Sequence, residues 1–566
     1  MKPSDSLKKI FADCNIVLWV FPLLLIVPNI MLDITEQYST LSRLANILVP
    51  AGWYYFIISL WRRTGVVVLS MTVFSFFAAF QIVLLNLYGE SIIAIDMFIN
   101  VATTNMSEAT ELLGNLLIAI AIICILYVPP IVAGVMQTIN KNEASKKNRK
   151  SARSLGVFLI LTGTLVVSIA SKKQDTYRVD RELFPINVIS NLCTAVSRTI
   201  ATHNYTETSK NFNYRATSTH PADLEEIYVL VVGETSRAEN WSLLGYDRNT
   251  NPQLAHRRDI IAYPKAMSES NTTHKSVPMI LSPLDSRTFG DSIYSTRSIF
   301  DAFNTTGYTT AFISNQRRNH SFIDFFGEQA SQTDFIIDDF DMPQHDMVLV
   351  DRMRHFIDSI QSSKAMIVLH CYGSHFNYRE RYPENAAAFK PDRNSEATKY
   401  NRDQLLNAYD NSILYTDAVL DSMISILSSY DVPAAMLYLS DHGEDIFDDK
   451  RDRFLHASPT GTYHQLHVPF LIWTSEKYRD LYPEKLSAAV QNKDKNISSS
   501  ASAFHTLLHM AGIETPYLNH NFSLTDTAYT EPDRLFLNDY LEGVALKHSG
   551  LKKFDFLQMD KHKIKY

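Results

Sequence analysis

Cysteine is scarce, with four in the 566-residue chain. Two of them, Cys14 and Cys124, fall in or beside long apolar runs, which leaves Cys193 and Cys371 for everything else. A disulfide framework is therefore excluded as the means of holding the fold, whatever the redox compartment. An excess of charge is lacking too. The formal net charge of -7 is modest for this length and points to no nucleic-acid partner. Internal repeats are absent, and the only low-complexity stretch is a short serine-rich loop at 498–502.

Apolar sequence is abundant and concentrated before residue 172. Runs at 14–32, 44–61, 66–88, 112–136 and 155–170 each approach the roughly 20 residues that cross a bilayer. They carry no interior charge, so the pattern predicts five transmembrane helices rather than buried core helices. The first run lacks a small-residue cleavage site and further spans follow it, which argues against a cleaved signal peptide. Lys2, Lys8 and Lys9 precede the first run, Arg62 and Arg63 follow the second, and Lys141, Lys146, Lys147, Arg149, Lys150 and Arg153 lie between the fourth and fifth. The alternate loops hold Asp33 and Glu36, then Glu90, Asp96, Glu108 and Glu111. Positive loops stay in the cytoplasm, so the N-terminus is expected there and everything after Ala170 outside.

The expected organisation is a transmembrane domain over 1–171, a polar bridging segment over 172–225 with an ambiguous apolar stretch at 184–196, and an exported catalytic domain over 226–566. In that last region, short β-rich runs at 227–232, 308–313, 366–369, 434–439 and 468–473 alternate with helix-compatible segments. The alternation predicts an α/β domain with a largely parallel sheet. Such sheets place ligands beyond the carboxyl ends of their strands.

Chemistry-bearing residues gather at those ends. The first strand runs out in Val231-Val232-Gly233-Glu234-Thr235-Ser236-Arg237, placing a carboxylate where the chain leaves the sheet. A lone glutamate there is commonly a capping or solvated residue. The fourth strand ends in Ser440-Asp441-His442-Gly443-Glu444, and an oxygen donor beside an imidazole suits zinc and has little packing value. Between them, Asn271-Thr272-Thr273-His274-Lys275-Ser276-Val277-Pro278 reads as a helix start. A threonine there is ordinarily a cap; on a metal, its hydroxyl becomes a nucleophile. The residues alone leave Thr272, Thr273 and Ser276 open for that role. His370 and His375 follow the third strand, and His456, His464 and His467 lie further on. Singly each reads as a surface or core histidine, and together they look like ligands to phosphate or metal. Arg317, Arg318 and His320 either hold a phosphate or line a solvated loop.

Taken together, Gly233-Glu234-Thr235-Ser236-Arg237, Gly245-Tyr246, Thr250-Asn251-Pro252, Thr273 with Ser276-Val277-Pro278, and the stretches 370–375 and 440–444 resemble the phosphoethanolamine transferases, which include lipid A modifying and mobile colistin resistance enzymes. The resemblance covers nearly the whole chain, because that family joins five spans to an alkaline-phosphatase-like periplasmic domain at the bacterial inner membrane. Carried over residue by residue, it implies a zinc ion held by Glu234, Thr273, Asp441 and His442, with Thr273 also becoming phosphoethanolaminated. It puts His375 and His456 on the incoming phosphate or on a second metal, with His464 as competitor for the latter position. It also implies that Asn100 and Glu108 seat the lipid head group, where an exposed polar loop is the plain alternative.

Departures from the pattern narrow the reading. Met279 follows Pro278, whereas the lipid A enzymes carry a cysteine nearby and several disulfides. The chain thus looks closer to the cysteine-poor branches that modify core heptose or periplasmic glucans. A family lysine expected beyond the second strand has no match, with Arg317, Arg318 or His320 as substitutes. The implied reaction is a double displacement: the Thr273 alkoxide attacks phosphatidylethanolamine, diacylglycerol leaves, and an envelope glycolipid or glycan takes the group. A phosphoglycerol transferase of the lipoteichoic acid or glucan type is the alternative enzyme, and the loop at 100–111 speaks against it. A catalytically silent envelope scaffold leaves the intact Glu234, Thr273, Asp441 and His442 unexplained.

Overall fold

The computed structural model describes residues 9–36, 38–88, 92–103, 116–173, 177–339, 344–360, 363–393 and 396–566. They form two compact units, Met1–Arg198 and Thr199–Tyr566. The segment expected to bridge them contains the helices Val179–Glu182, Ile186–His203 and Tyr205–Ser209. Its ambiguous apolar stretch is therefore helical.

In the first unit, Cys14–Thr35, Leu117–Ile139 and Lys146–Lys173 are each long and apolar enough to cross a membrane. Thr64–Ser70 and Thr72–Asn86, bent by 49°, make a fourth if counted as one. The run expected at 44–61 is also a helix, Thr40–Leu60. It buries the polar Ser42, Asn46 and Ser59. Those polar groups find partners inside the unit, as lipid surroundings demand: Asn29 Nδ2 donates to Asn46 Oδ1 at 2.9 Å, and Asn46 Nδ2 donates back to the Asn29 carbonyl at 3.1 Å. Glycine lets Thr40–Leu60 and Lys146–Lys173 touch backbone to backbone. A Cβ on Gly52 would lie 2.7 Å from Ile160 N, and one on Gly156 would lie 2.7 Å from Phe56 N. Close approach of this kind replaces the hydrophobic drive that helices in lipid lack. Of the two residues expected to seat a head group, Asn100 lies in the Ile95–Thr103 helix and Glu108 lies outside the described residues.

The second unit is built on a seven-stranded sheet. Its strands are β1 (Glu226–Gly233), β2 (Ile260–Ala262), β3 (Thr309–Ser314), β4 (Gln332–Phe335), β5 (Lys364–His370), β6 (Ala434–Ser440) and β7 (Phe470–Thr474). The spatial order is β2-β7-β6-β1-β5-β3-β4, parallel from β6 through β4, with β7 antiparallel to both its neighbours. Strands β1, β5 and β6 are buried at every position, the condition of parallel strands covered on both faces. Each buried valine or leucine there contributes roughly 1.5–3 kcal/mol.

Register decides what the sheet presents. Gly233 pairs with Ser440, Val232 with His370, and Ser314 with His370. The residues that follow, among them Glu234, Asp441 and Cys371, therefore emerge side by side at one edge. At the opposite end of β1, the fully buried Glu226 accepts from His220 Nδ1 at 2.8 Å, Tyr228 OH at 3.0 Å, Tyr308 OH at 2.6 Å and Lys364 Nζ at 2.8 Å. Removing one member of a buried charge pair leaves the other uncompensated. Glu226→Ala is thus expected to lower unfolding stability by about 3–5 kcal/mol, read from denaturant melts of the detergent-solubilised chain; a change within ~0.5 kcal/mol would show that the network carries no such weight.

Candidate functional site

Glu234 and Asp441 are the first residues beyond β1 and β6, and both are buried. Thr273 opens the Thr273–Ile280 helix, with Thr272 as an extended N-cap that makes no side-chain cap bond. The helix packs against a second one, Ser499–Met510. The three hydroxyls left open by sequence part company here. Thr272 Oγ1 faces Ser270 Oγ at 3.1 Å, and Ser276 Oγ donates to the Ser270 carbonyl at 3.3 Å. The half-buried Thr273 instead turns its Oγ1 to the two oxygens of Glu234, at 3.4 and 3.3 Å, and to His442 Nε2 at 3.1 Å. His442 Nε2 also lies 3.2 Å from Asp441 Oδ2 and 3.5 Å from Glu234 Oε1. Glu234, Thr273, Asp441 and His442 thus converge on one point.

The local backbone is built to hold that point. His442 Nδ1 lies 2.9 Å from the Gly443 carbonyl; donating its proton there leaves the Nε2 lone pair facing the cluster. Asp441 Oδ1 accepts from the backbone of Thr235 at 3.2 Å and of His442 at 2.7 Å. Its Oδ2 is buried with no hydrogen-bond partner. Thr235 sits at φ 60, costly for a β-branched residue, and is held by Tyr409 OH donating to its carbonyl at 2.7 Å and by its own hydroxyl donating to Glu234 at 2.6 Å. Gly373, at φ +56, has no room for a side chain, because a Cβ would lie 2.6 Å from the Glu234 carbonyl oxygen.

The electrostatics follow from two buried carboxylates sharing one pocket. Burial opposes ionisation of Glu234, yet His442, His375 and His456 outweigh it and hold the group down at about 2. Burial and then the charge of Glu234 push Asp441 up to about 7. Burial disfavours the imidazolium of His442, but Asp441 and Glu234 raise it above the ordinary value.

The remaining histidines divide. His456 holds its ring 4.2 Å from that of His442, tilted by 37°, and its Nδ1 lies 2.9 Å from Glu444 Oε2. One ligand atom each from Glu234, His442 and His456 falls within a 4.8 Å cluster. Leu455 and Ala457, on either side of His456, have φ of 70 and 63; such strain concentrates where a side chain must be presented. Burial, then the neighbouring His442, lowers His456 to about 3. His375 lies beside it, ring centroids 5.9 Å apart, with Nδ1 2.6 Å from the Phe376 carbonyl. His464 points elsewhere, its Nδ1 2.5 Å from Glu239 Oε1.

Several neighbours escaped the sequence reading. Gln316, two residues beyond β3, donates to Glu234 Oε2 at 3.0 Å and to the Cys371 carbonyl at 2.7 Å. It approaches the site where a cation was sought among Arg317, Arg318 and His320. Arg318 pairs with Glu328 at 2.6 Å and Asp338 at 3.2 Å and lies over the Phe335 ring. Glu444 accepts from Tyr378 as well as facing His456, and burial pushes it up to about 8. The motif residues Tyr246 and Thr250 prove to be scaffold: Tyr246 OH donates to Asp410 at 3.0 Å, and Thr250 Oγ1 donates to the Asn240 carbonyl at 2.6 Å. Asp410 lies on the long Arg402–Ser429 helix, whose buried polar face no motif revealed.

Residues 226–513 match the sulfatase family, a span that takes in every residue of the convergent cluster. The chain belongs to the sulfatase family. Among curated relatives, this family member is 32% identical over 305 residues to "Phosphoethanolamine transferase EptA" of Salmonella typhimurium, covering 52% of this chain and 55% of that protein. The chain thus matches about half the length of that relative. Two solved structures share the fold. The integral membrane lipooligosaccharide phosphoethanolamine transferase A of Neisseria meningitidis superposes with a TM-score of 0.70 at 22% identity, over 91% of this chain and 99% of that one. The periplasmic domain of EptC from Escherichia coli, in complex with Zn, gives 0.54 at 23% identity over 61% of this chain and 98% of that one.

Behind the sulfatase-family site, buried Arg237 donates to Asp448 Oδ2 at 2.7 Å and lies 3.4 Å from Glu239. Burial opposes a charged His464, but Glu239 and Asp448 outweigh it and hold the imidazolium up at about 9, against an ordinary 6.5. Folding therefore takes up a proton between those values, and this contribution, complete below 6.5, is lost as the pH rises through 9. Glu239→Gln should flatten the fall in stability across that window in denaturant melts; a wild-type slope in the variant would contradict the assignment.

Proposed function

We propose that the protein is a zinc-dependent phosphoethanolamine transferase of the bacterial inner membrane, spanning it five times with the catalytic unit in the periplasm. On this reading the Thr40–Leu60 helix and the bent pair complete the five spans, and the basic loops fix the orientation. The observation that carries the chemistry is the meeting of Thr273 Oγ1 with Glu234 and His442 Nε2 beside Asp441 Oδ2, a buried oxygen that accepts no hydrogen bond. Two carboxylates, an imidazole nitrogen and a hydroxyl make a donor set that fits zinc, and Asp441 Oδ2 is the atom such an ion would satisfy. Glu234, Thr273, Asp441 and His442 would hold the ion. Bound there, zinc lowers the pKa of the hydroxyl and neutralises charge on the phosphoryl oxygens.

The chain's own residues do the rest. Thr273 Oγ attacks the phosphorus of phosphatidylethanolamine, forming a Thr–O–P bond as the bond to the diacylglycerol oxygen breaks. His375 and His456 face the incoming group, hold its oxygens and carry the proton given up by Thr273 to the departing diacylglycerol. An acceptor hydroxyl or phosphate of an envelope glycolipid or glycan then attacks the same phosphorus and releases Thr273. Gln316 holds Glu234 in place through its amide. One curated relative is named for Kdo(2)-lipid A as its acceptor, which supports a lipopolysaccharide acceptor here, and Asn100 with Glu108 are proposed to seat the donor head group.

Head-group transfer from radiolabelled phosphatidylethanolamine, run beside phosphatidylglycerol, tests this reading. Only the ethanolamine lipid should donate. Thr273→Ala should abolish diacylglycerol release as well as transfer, while Thr273→Ser retains a measurable fraction. Glu234→Ala, Asp441→Ala and His442→Ala should each lose zinc by elemental analysis and lower turnover by at least about 100-fold. Donation from phosphatidylglycerol, or full zinc content in all three variants, would refute it.

A further inference from the structure

A second group of side chains able to ligate a metal lies at the other end of the sheet from Glu234. It is built on the last turn of the Ser499–Met510 helix, where Met510 accepts from Tyr228 OH at 3.1 Å, close to the start of β1. His509 from that turn, His520 from the His520–Phe522 turn and Asp526 from the loop beyond each offer one ligand atom, all within 4.8 Å of one another. We propose that His509, His520 and Asp526 form a structural site for a divalent transition metal, zinc by donor chemistry, separate from the catalytic cluster.

The case rests on how each donor is presented. His509 Nδ1 lies 2.8 Å from Thr525 Oγ1 and 3.1 Å from Ser523 Oγ. When Nδ1–H donates to these hydroxyl oxygens, the Nε2 lone pair is left facing Asp526 Oδ2 at 3.5 Å. Asp526 commits its Oδ1 to the Ala528 backbone N–H at 2.8 Å, which turns Oδ2 toward the two histidines. His520 places Nδ1 2.7 Å from that same Oδ2 and Nε2 3.6 Å from Glu514 Oε2. Glu514 thus stands ready to take the Nε2 proton while Nδ1 ligates, the carboxylate–histidine arrangement of metal sites. Two imidazoles and one carboxylate, with water as the fourth ligand, suit zinc better than the all-oxygen cations.

The plain alternative is an ion pair between His520 and Asp526. With His520 44% exposed, solvent screens such a pair and it adds little, and it leaves unexplained why His509, its other nitrogen already committed, aims at the same oxygen. The exposure of His520 and Glu514 also gives a cation a way in. The local charge is favourable: Asp526 and Glu514 face the site, while the nearby Lys485 ammonium is directed to the His509 carbonyl at 2.7 Å. Occupancy would fasten the end of the Ser499–Met510 helix to the loop beyond it. The start of that helix underlies the nucleophile segment, where Ser498 Oγ donates to Glu269 at 2.6 Å and Ser500 Oγ lies 3.4 Å from Ser268 Oγ.

The test is zinc titration of the full detergent-solubilised chain after chelator treatment, read by calorimetry and by elemental analysis of the dialysed protein. Wild type should bind one zinc more than His520→Ala or His509→Gln, and Glu514→Gln should bind it about tenfold more weakly. In a His442→Ala background, where the catalytic zinc is absent on the reading above, His520→Ala should remove one further zinc. Wild-type zinc content in both His520→Ala and His509→Gln, or no further loss in the double variant, would overturn the proposal, and neither result bears on the catalytic site.

Discussion

Two carboxylates delivered to one buried spot by the pairing of β1 with β6 form the constraint around which the second unit is arranged. Gly233 and Ser440 are partners, so Glu234 and Asp441 leave the sheet together. Like charges about 4 Å apart in a partly screened interior oppose each other by on the order of 4 kcal/mol. That exceeds the roughly 1 kcal/mol net contribution of an ordinary hydrogen bond. Charge balance rather than hydrogen bonding therefore decides the site, and Asp441 is driven up to about 7 by burial and by Glu234. A divalent cation among these oxygens would relieve the conflict that His442 alone relieves only in part.

The surroundings make the arrangement hard to relax. Thr235 is pinned with positive φ by Tyr409 and by its own bond to Glu234. Gly443 is crowded by the His464 carbonyl, which in turn belongs to the segment whose imidazole is locked by Glu239. Arg237 ties that layer to Asp448, and Arg402 reaches Asp448 Oδ1 at 2.9 Å from the long helix. The half-buried Thr273 is left as the reachable hydroxyl in a rigid, charged frame, as preorganised charge stabilisation requires.

Much of this was legible in the sequence, for identifiable reasons. Buried parallel strands read as short aliphatic runs, so 227–232, 366–369 and 434–439 coincide with β1, β5 and β6. Glu234 and Asp441 stood out because they follow those runs. The run at 468–473 forms β7 but pairs antiparallel, since direction depends on the length and path of the connection and not on composition. The helix Thr40–Leu60 was found by its apolar run, while its asparagine pairing is a tertiary fact. Gln316 was missed because a neutral amide after a strand carries no signal until its contact with Glu234 is seen. The resemblance named His375 and His456 and left His464 competing with the latter; only geometry separates a ring against His442 from one against Glu239.

The central claim is that Thr273 carries the transferred group. Intact-mass measurement of the zinc-loaded chain, incubated with phosphatidylethanolamine and no acceptor, tests it directly. The account predicts a single added phosphoethanolamine, located by peptide fragmentation on Thr273 and discharged when acceptor is supplied. An adduct on Thr272 or Ser276, or transfer that persists in Thr273→Ala without any adduct, would contradict it.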